Sequence, residues 1–484
     1  LVCKKIKREI MLVRKIIIAI ALVASISSCK KILDVNPQYN VDGSNAFKTI
    51  EDCDFALVGA YRLFQSTSYY GATDARSNAF AVLPDILSDN LKETGESLGN
   101  ERVFSRWVYA ADETQIEGTW TTGYRIISQA NLVLGNIDKF ASTNQGAANR
   151  IKGQALAIRA MVHFDLLRYF VNDFARNSTS PGIPYITAFD YEVKPSRGSV
   201  QATYNAIEAD LLAAKTLLQS TDHAVNGGSG NNRAYMDRYV VDAILARIYL
   251  YSGQYTNAIQ RATTIINAFP LASQSEFPDI WTDATNKEVV WALTFDAGQG
   301  GPGYSAYFPQ PDASQYAPDP DLLGLYTADD IRADAYFADI NGRTVLSKYL
   351  AKAAALTNPD GVVNFKAFRT GEMYLIRAEA YARSSNDALG SADLNTLRSA
   401  RISGYTPSPL TGAALLNAIA TERRKELVGE GHRFFDLKRT TRTIARVGCS
   451  AFCTLSPSSR AWTWPIPQPE IDANPAILPQ NPGY

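Results

Sequence analysis

What most limits the fold of this chain is a succession of helical periodicities separated by short turns. Apolar residues recur three and four apart over Asp52–Phe64, Tyr124–Phe140, Gln154–Phe170, Tyr204–Leu218, Tyr239–Ser252, Thr256–Ala268, Glu372–Arg383, Ala392–Arg401 and Ala413–Val428. Each stripe needs a covering neighbour, and helices adjacent in sequence cover one another as hairpins. From Tyr239 to Ala272 the spacing is that of a tetratricopeptide unit. Leu245, Ala246, Tyr249, Gly253, Ala258 and Pro270 fall at its helix contacts, turn glycine and terminal proline, while Asp242, Ala262 and Ile265 depart from the usual residues. Glu372–Ala382 reads as a second first helix of this kind. The expected fold is mainly α: a tetratricopeptide-like helical scaffold with long irregular loops and a little β-structure.

Between Phe277 and Phe368 the character changes. Val289–Phe295 is β-branched and aromatic, and Asp296–Pro320 is a long loop rich in Gly, Pro, Tyr and Asp. Loops of this length in a compact domain are usually functional or disordered, and the tyrosines here argue for function. Within it Gly298, Gly300 and Gly303 spell GxGxxG. A dinucleotide site needs a helix to open at the last glycine, and Pro302, Pro309 and Pro311 oppose one.

Met11–Cys29 has the form of a lipoprotein export signal. Arg14 and Lys15 are its positive start, Ile16–Val23 its apolar run, and Ile26-Ser27-Ser28-Cys29 a lipobox whose Cys29 is acylated by palmitate-type chains. The apolar run is too short to span a bilayer, whereas two or three acyl chains anchor stably. Leu1–Ile10 is either an extended positive region or untranslated. Of 48 basic and 48 acidic residues, six basic and one acidic precede Cys29, leaving 42 against 47. A net charge of about −5 opposes nucleic-acid binding through phosphates. In an oxidising compartment Cys449 and Cys453 can close a small loop as a disulfide, with Cys53 a buried thiol. A metal centre is not expected, because structural zinc takes four ligands at regular spacing and only one CxxxC is present.

No residue pattern demands catalysis. The histidines are His163 in an apolar helix, His223 in an Asn/Gly-rich loop and His432 in a charged turn; no nucleophile elbow or HExxH occurs. Paired carboxylates could come from anywhere in the chain, so glycoside hydrolysis stays open on residues alone. Glu422–Arg439 alternates Glu and Arg at helical spacing and carries Phe434, Phe435 and Leu437, which favours a structural role over an anion site.

That segment, together with Arg159–Phe170, Glu372–Ala382, the ending Pro465–Glu470 to Asn481–Tyr484 and the lipobox, resembles the SusD/RagB family of outer-membrane nutrient-binding lipoproteins, in order along the chain. His163 stands where the family usually has an aromatic, and Lys30-Lys31 replaces an acidic stretch after the lipidated cysteine. The resemblance implies a signal over 1–28, a lipidated tether over 29–46 and one SusD-like domain over 47–484. That domain divides into an N-terminal helical part (47–275), a loop-rich ligand-facing insertion (276–368) and a C-terminal helical part with the family tail (369–484). It further implies a protein on the outer face of the outer membrane that captures oligosaccharide and hands it, without chemistry or cofactor, to a SusC-like TonB-dependent transporter.

Family ligand residues vary, so the expected site is drawn from loop residues. Sugar C–H faces stack on aromatics, and polar side chains bond the hydroxyls. The aromatics are Tyr69, Tyr70, Trp107, Tyr304, Tyr307 and Tyr316, with Asn78, Asn100 and Asp312 as hydroxyl partners. A peptide-binding RagB-type importer component is the nearest alternative, and a cell-surface glycoside hydrolase a more distant one.

Overall fold

In the computed structural model, four of the long helices begin where a side chain satisfies one of their first free amides. Described are residues 46–484 apart from 73–77, 191, 224–232, 297, 309–311, 353–355, 357–358, 360 and 450, together with 5–9 and 11–15. Cys29, the apolar run of the signal and nearly all of the tether lie outside the described residues. Helix α1 is Ile50–Leu63. Glu113 caps α2 (Thr114–Leu134), Asn144 caps α3 (Gln145–Phe170), Ser199 caps α4 (Val200–Leu217) and Asp237 caps α5 (Arg238–Tyr251). Then follow α6 (Tyr255–Ala268), α7 (Thr370–Arg383), α8 (Asp387–Arg401) and α9 (Gly412–Glu426). The main departure from the periodicity is α2. It starts ten residues earlier than its apolar stripe and stops before Gly135, the stretch Ile137–Phe140 being a separate 3₁₀ turn.

These helices pack in sequence order, α2 on α3, α3 on α4, α4 on α5, α5 on α6, and α7 on α6, α8 and α9. The α5–α6 hairpin is the tetratricopeptide-like unit. Gly253 turns it with φ +74°, a conformation that favours glycine, while Leu245, Ala246, Ala258 and Ala262 are fully buried at the crossing. Asp242 is buried too, and the ammonium of Lys215, at 2.5 Å, compensates it. In the C-terminal part Leu375, Ala378, Leu394, Leu397, Leu415, Ile419 and Leu427 form one apolar cluster among α7, α8 and α9. Residues Cys53–Tyr484 make one compact unit. Among the described residues no helix is long and apolar enough to cross a membrane.

The strands are short antiparallel pairs. β1 (Leu91–Glu93) pairs with β5 (Tyr316–Pro318), β2 (Val289–Leu293) with β8 (Phe365–Arg369), β3 (Tyr307–Phe308) with β4 (Ala313–Ser314), β6 (Phe337–Ile340) with β7 (Arg343–Leu346), and β9 (Ile444–Ala445) with β10 (Thr454–Leu455). After β2 the glycine run enters a 3₁₀ turn at Pro302–Ser305, so the helix that a dinucleotide site requires is not formed there.

The charged segment Glu422–Arg439 is internal structure. Glu422 and Glu426 on α9, with Glu430 beyond it, are buried and ion-paired to distant residues, not to their helical neighbours. Arg369 sets Nε and Nη2 at 2.8 Å from the two Glu430 oxygens and Nη1 at 2.9 Å from Glu426. Arg332 reaches Glu422, Glu426 and Asp330; Arg401 reaches Glu288 and Glu426. Lys348 lies 2.5 Å from Glu430, and Lys425 2.6 Å from Asp330. The paired charges offset the cost of removing each from water. This network ties β8 and the 330–348 segment to α8 and α9.

His163 is a packed core residue. Its ring stacks on Tyr185 at 3.9 Å, Nδ1 lies 2.7 Å from the Arg159 carbonyl, and Nε2 accepts the Ile186 amide. Burial pushes its pKa down to about 3. Cys449 and Cys453 form a disulfide, and Cys53 is a buried thiol.

Candidate functional site

Most of the aromatics expected to form a binding shelf are packed inside. Tyr69 and Tyr70 lie in a cluster with Phe64, Phe80 and Phe365, and the Tyr69 hydroxyl donates to Asp165 at 2.5 Å. Trp107 donates Nε1–H to the Leu87 carbonyl at 2.8 Å, and the Arg446 guanidinium covers its ring at 4.1 Å. Tyr316 is fully buried on β5, and Asn78 holds the 302–305 turn through Pro302 O and Ser305 Oγ. These five do not meet solvent, contrary to the expectation. For the four aromatics the reason is shared: a large ring on a loop can staple that loop to the core, and these rings do so, while Asn78 is held by its own hydrogen bonds. Tyr307 is buried as a ring, with Ile340, Val345 and Leu350, while half-buried Tyr304 packs beside it and donates to Pro359 O. Asn100 and Asp312 do reach the surface.

Tyr307 and Asp312 belong to one polar network. The Tyr307 hydroxyl donates to Asp312 at 2.5 Å, Asn341 Nδ2 to the other Asp312 oxygen at 2.8 Å, and Arg343 bridges Asp312 to Glu96, its Nε lying 2.7 Å from the latter. Glu96 also accepts the Ser314 amide. That amide and Arg343 hold Glu96 below the usual carboxylate range; Tyr307, Asn341 and Arg343 do the same for Asp312. Burial, then the Asp312 bond, pushes the Tyr307 phenol up to about 12.

Beside this network opens a cleft of about 440 Å³. One wall is the end of β1 and the following turn with the short helix Arg102–Ser105; the other is the loop between β9 and β10, closed by the disulfide. Arg446 anchors that loop by donating to the Ser88 and Ile86 carbonyls at 2.7 and 2.8 Å. Inside the ring that the disulfide closes, Phe452 takes φ +56° and leaves 44% of its surface exposed, with the Arg106 guanidinium 5.8 Å from its ring centre. Glu93 stands between Arg102 and Arg106, accepting from Nε of the first at 2.6 Å and Nη2 of the second at 3.1 Å. Burial opposes its ionisation, yet these two bonds hold its carboxyl below the usual range.

A second cleft, of about 450 Å³, runs along the C-terminal tail, but its one indole, Trp462, is stacked on Phe434 and buried. Phe452 therefore distinguishes the first cleft. Sequence reasoning passed over it because the CxxxC was weighed as a disulfide or metal pair, not as a clamp presenting the aromatic inside it.

Residues 341–484 match the SusD family, and residues 65–250 match a SusD-like family described as starch-binding and associating with the outer membrane. The chain belongs to the SusD/RagB family. Among SusD-like relatives, protein P2 of Formosa agariphila is 25% identical over 96% of this chain and 98% of its own length, and protein P25 of the same organism is 21% identical over 98% and 100%. A crystal structure of a SusD superfamily protein from Bacteroides thetaiotaomicron superposes with a TM-score of 0.78 at 26% identity, covering 90% of this chain and all of that one. A surface glycan-binding protein A from Bacteroides fluxus shares the fold, with a TM-score of 0.71 at 21% identity over 90% of this chain and 99% of its own. The helical SusD fold agrees with the α-rich scaffold described above.

Proposed function

We propose that the protein is a lipid-anchored, surface-exposed binder that captures oligosaccharide in the cleft below Phe452 and delivers it to a SusC-like TonB-dependent transporter. Attachment is through acyl chains on Cys29. The observation that carries this reading is a disulfide-held, solvent-facing aromatic standing over an arginine-edged cleft. A sugar ring offers a C–H face to the first and hydroxyls to the second. The family described as starch-binding and associating with the outer membrane supports the same class of ligand.

Binding without chemistry fits the local electrostatics. A glycosidase needs one carboxyl kept protonated as general acid. Glu93, Glu96 and Asp312 are each held below the ordinary range, so at neutral pH they accept hydrogen bonds and have no proton to give.

The test is a binding screen of the purified protein against polysaccharides and peptide pools, with product analysis of every mixture. Saturable binding of one glycan without shorter products, weakened at least tenfold in Phe452→Ala, is the expected result. Saturation by peptides alone overturns the glycan reading, release of fragments overturns the non-catalytic one, and full affinity in Phe452→Ala moves the site elsewhere.

A further inference from the structure

The cleft is basic. Lys92, Arg102, Arg106 and Arg446 line it, against Glu93 as the one carboxylate in its wall. Arg446 is spent on backbone carbonyls, whereas Lys92, Arg102 and Arg106 are at most half-buried. The Arg102 and Arg106 side chains remain 44% and 42% exposed although both lean on Glu93. Glu93 takes only Nε of Arg102 and one Nη of Arg106, which leaves further N–H groups on both guanidinium groups beyond those bonded to Glu93. The turn is shaped for this. Gly99, at φ +84°, lies under the Arg102 guanidinium, where a Cβ would sit 3.1 Å from Nη1. Across the cleft the loop runs close to Lys92, since a Cβ on Gly448 would be 3.7 Å from its Nζ.

Guanidinium N–H groups can bond the hydroxyls of a neutral sugar, but such a sugar leaves unbalanced the positive charge that Lys92, Arg102 and Arg106 bring against the single carboxylate of Glu93. Guanidinium pairs held side by side match the planar or tetrahedral oxygens of carboxylates and sulfate esters. We propose that the ligand of this cleft is an anionic glycan, whose acid groups are read by Arg102 and Arg106, with Lys92 opposite, while Phe452 stacks on the sugar carrying them. This rests on the glycan-binding reading of the cleft and adds its substrate class.

Polygalacturonate supplies carboxylates and dextran sulfate supplies sulfate esters; carboxyl-reduced polygalacturonate and dextran are their neutral counterparts. Calorimetric titration of all four into the purified protein separates the two sources of charge. The expected result is that at least one acidic polymer binds, its neutral counterpart does not, and affinity falls steeply between 50 and 500 mM salt, as screening of surface charges requires, on the order of tenfold or more. Arg102→Gln and Arg106→Gln each lose roughly tenfold on that polymer. Phe452→Ala weakens binding but keeps the salt dependence, an internal check that needs no arginine variant. Equal binding of acidic and neutral polymers without salt dependence removes the proposal and leaves the glycan reading standing. Binding of peptide pools with none of the polymers removes both.

Discussion

Replacing Arg369 with Met tests whether the buried ion-pair network supports the C-terminal half of the scaffold. Arg369 is fully buried and makes a two-pronged contact with Glu430 and a third with Glu426. Met fills much of the same space without charge, so the perturbation is electrostatic. Removing one partner of a buried pair typically costs about 3–5 kcal/mol, because the other charge stays out of water. Here Glu430 keeps Lys348 at 2.5 Å, and Glu426 keeps Arg332 and Arg401 at 3.0 Å, so the loss is placed at about 3 kcal/mol, the lower end of that range. The assay is urea unfolding followed by tryptophan fluorescence, with Trp281, 5.1 Å from the Arg369 guanidinium, as local reporter. Acid supplies a second readout. Burial opposes ionisation of Glu426, but Arg401, Arg369 and Arg332 outweigh it and depress its folded pKa. Its stabilisation is therefore present above the unfolded value of about 4.5 and is lost as pH falls below it. Without Arg369 less is left to lose, so the gap between wild type and variant narrows on acidification. A destabilisation under about 1 kcal/mol, or a gap unchanged between neutral pH and acid, refutes the assignment.

Trp107→Ala is expected to lower stability by about 3–5 kcal/mol through cavity formation, in a thermal melt, with any effect on binding following from unfolding. His163, whose folded pKa lies near 3, contributes stability that is present above about pH 6.5 and lost as pH falls through that value toward 3. ¹⁵N-detected NMR should accordingly find its ring neutral, with the proton on Nδ1, at pH 5, where a solvent-exposed histidine is charged. Reducing the loop by Cys449→Ser with Cys453→Ser should weaken ligand binding several-fold while shifting the melting temperature by less than about 2 °C, since the loop lies outside the core.

The helices were legible because burial imposes a period on them, and the starts of α4, α5 and α6 lie close to where their apolar stripes begin. The start of α2 was not, because its first turns are held by the Glu113 cap and present few apolar residues. Among the expected site residues, Tyr69, Tyr70, Trp107 and Tyr316 are buried, and Asp312 and Asn100 reach the surface without lining the cleft. An aromatic in a loop reads the same whether it faces solvent, like Phe452, or pins the loop down, like Trp107. The difference lies in the guanidinium of Arg446, more than three hundred residues away in sequence, which closes over the indole. The ionic segment Glu422–Arg439 was read correctly as structure, but its partners Arg332 and Arg369 come from other elements, and no local spacing could have named them.

The loop that carries Phe452 is a closed covalent ring between two paired strand ends, anchored to the body by Arg446 below the ring. Such a loop keeps its own shape whatever residues occupy its tip, so changes there need not propagate into the helices. On the binding mode proposed for Phe452, ligand preference can then drift while the scaffold stays constant, and the ring is the natural unit to exchange when grafting specificity between members of the family.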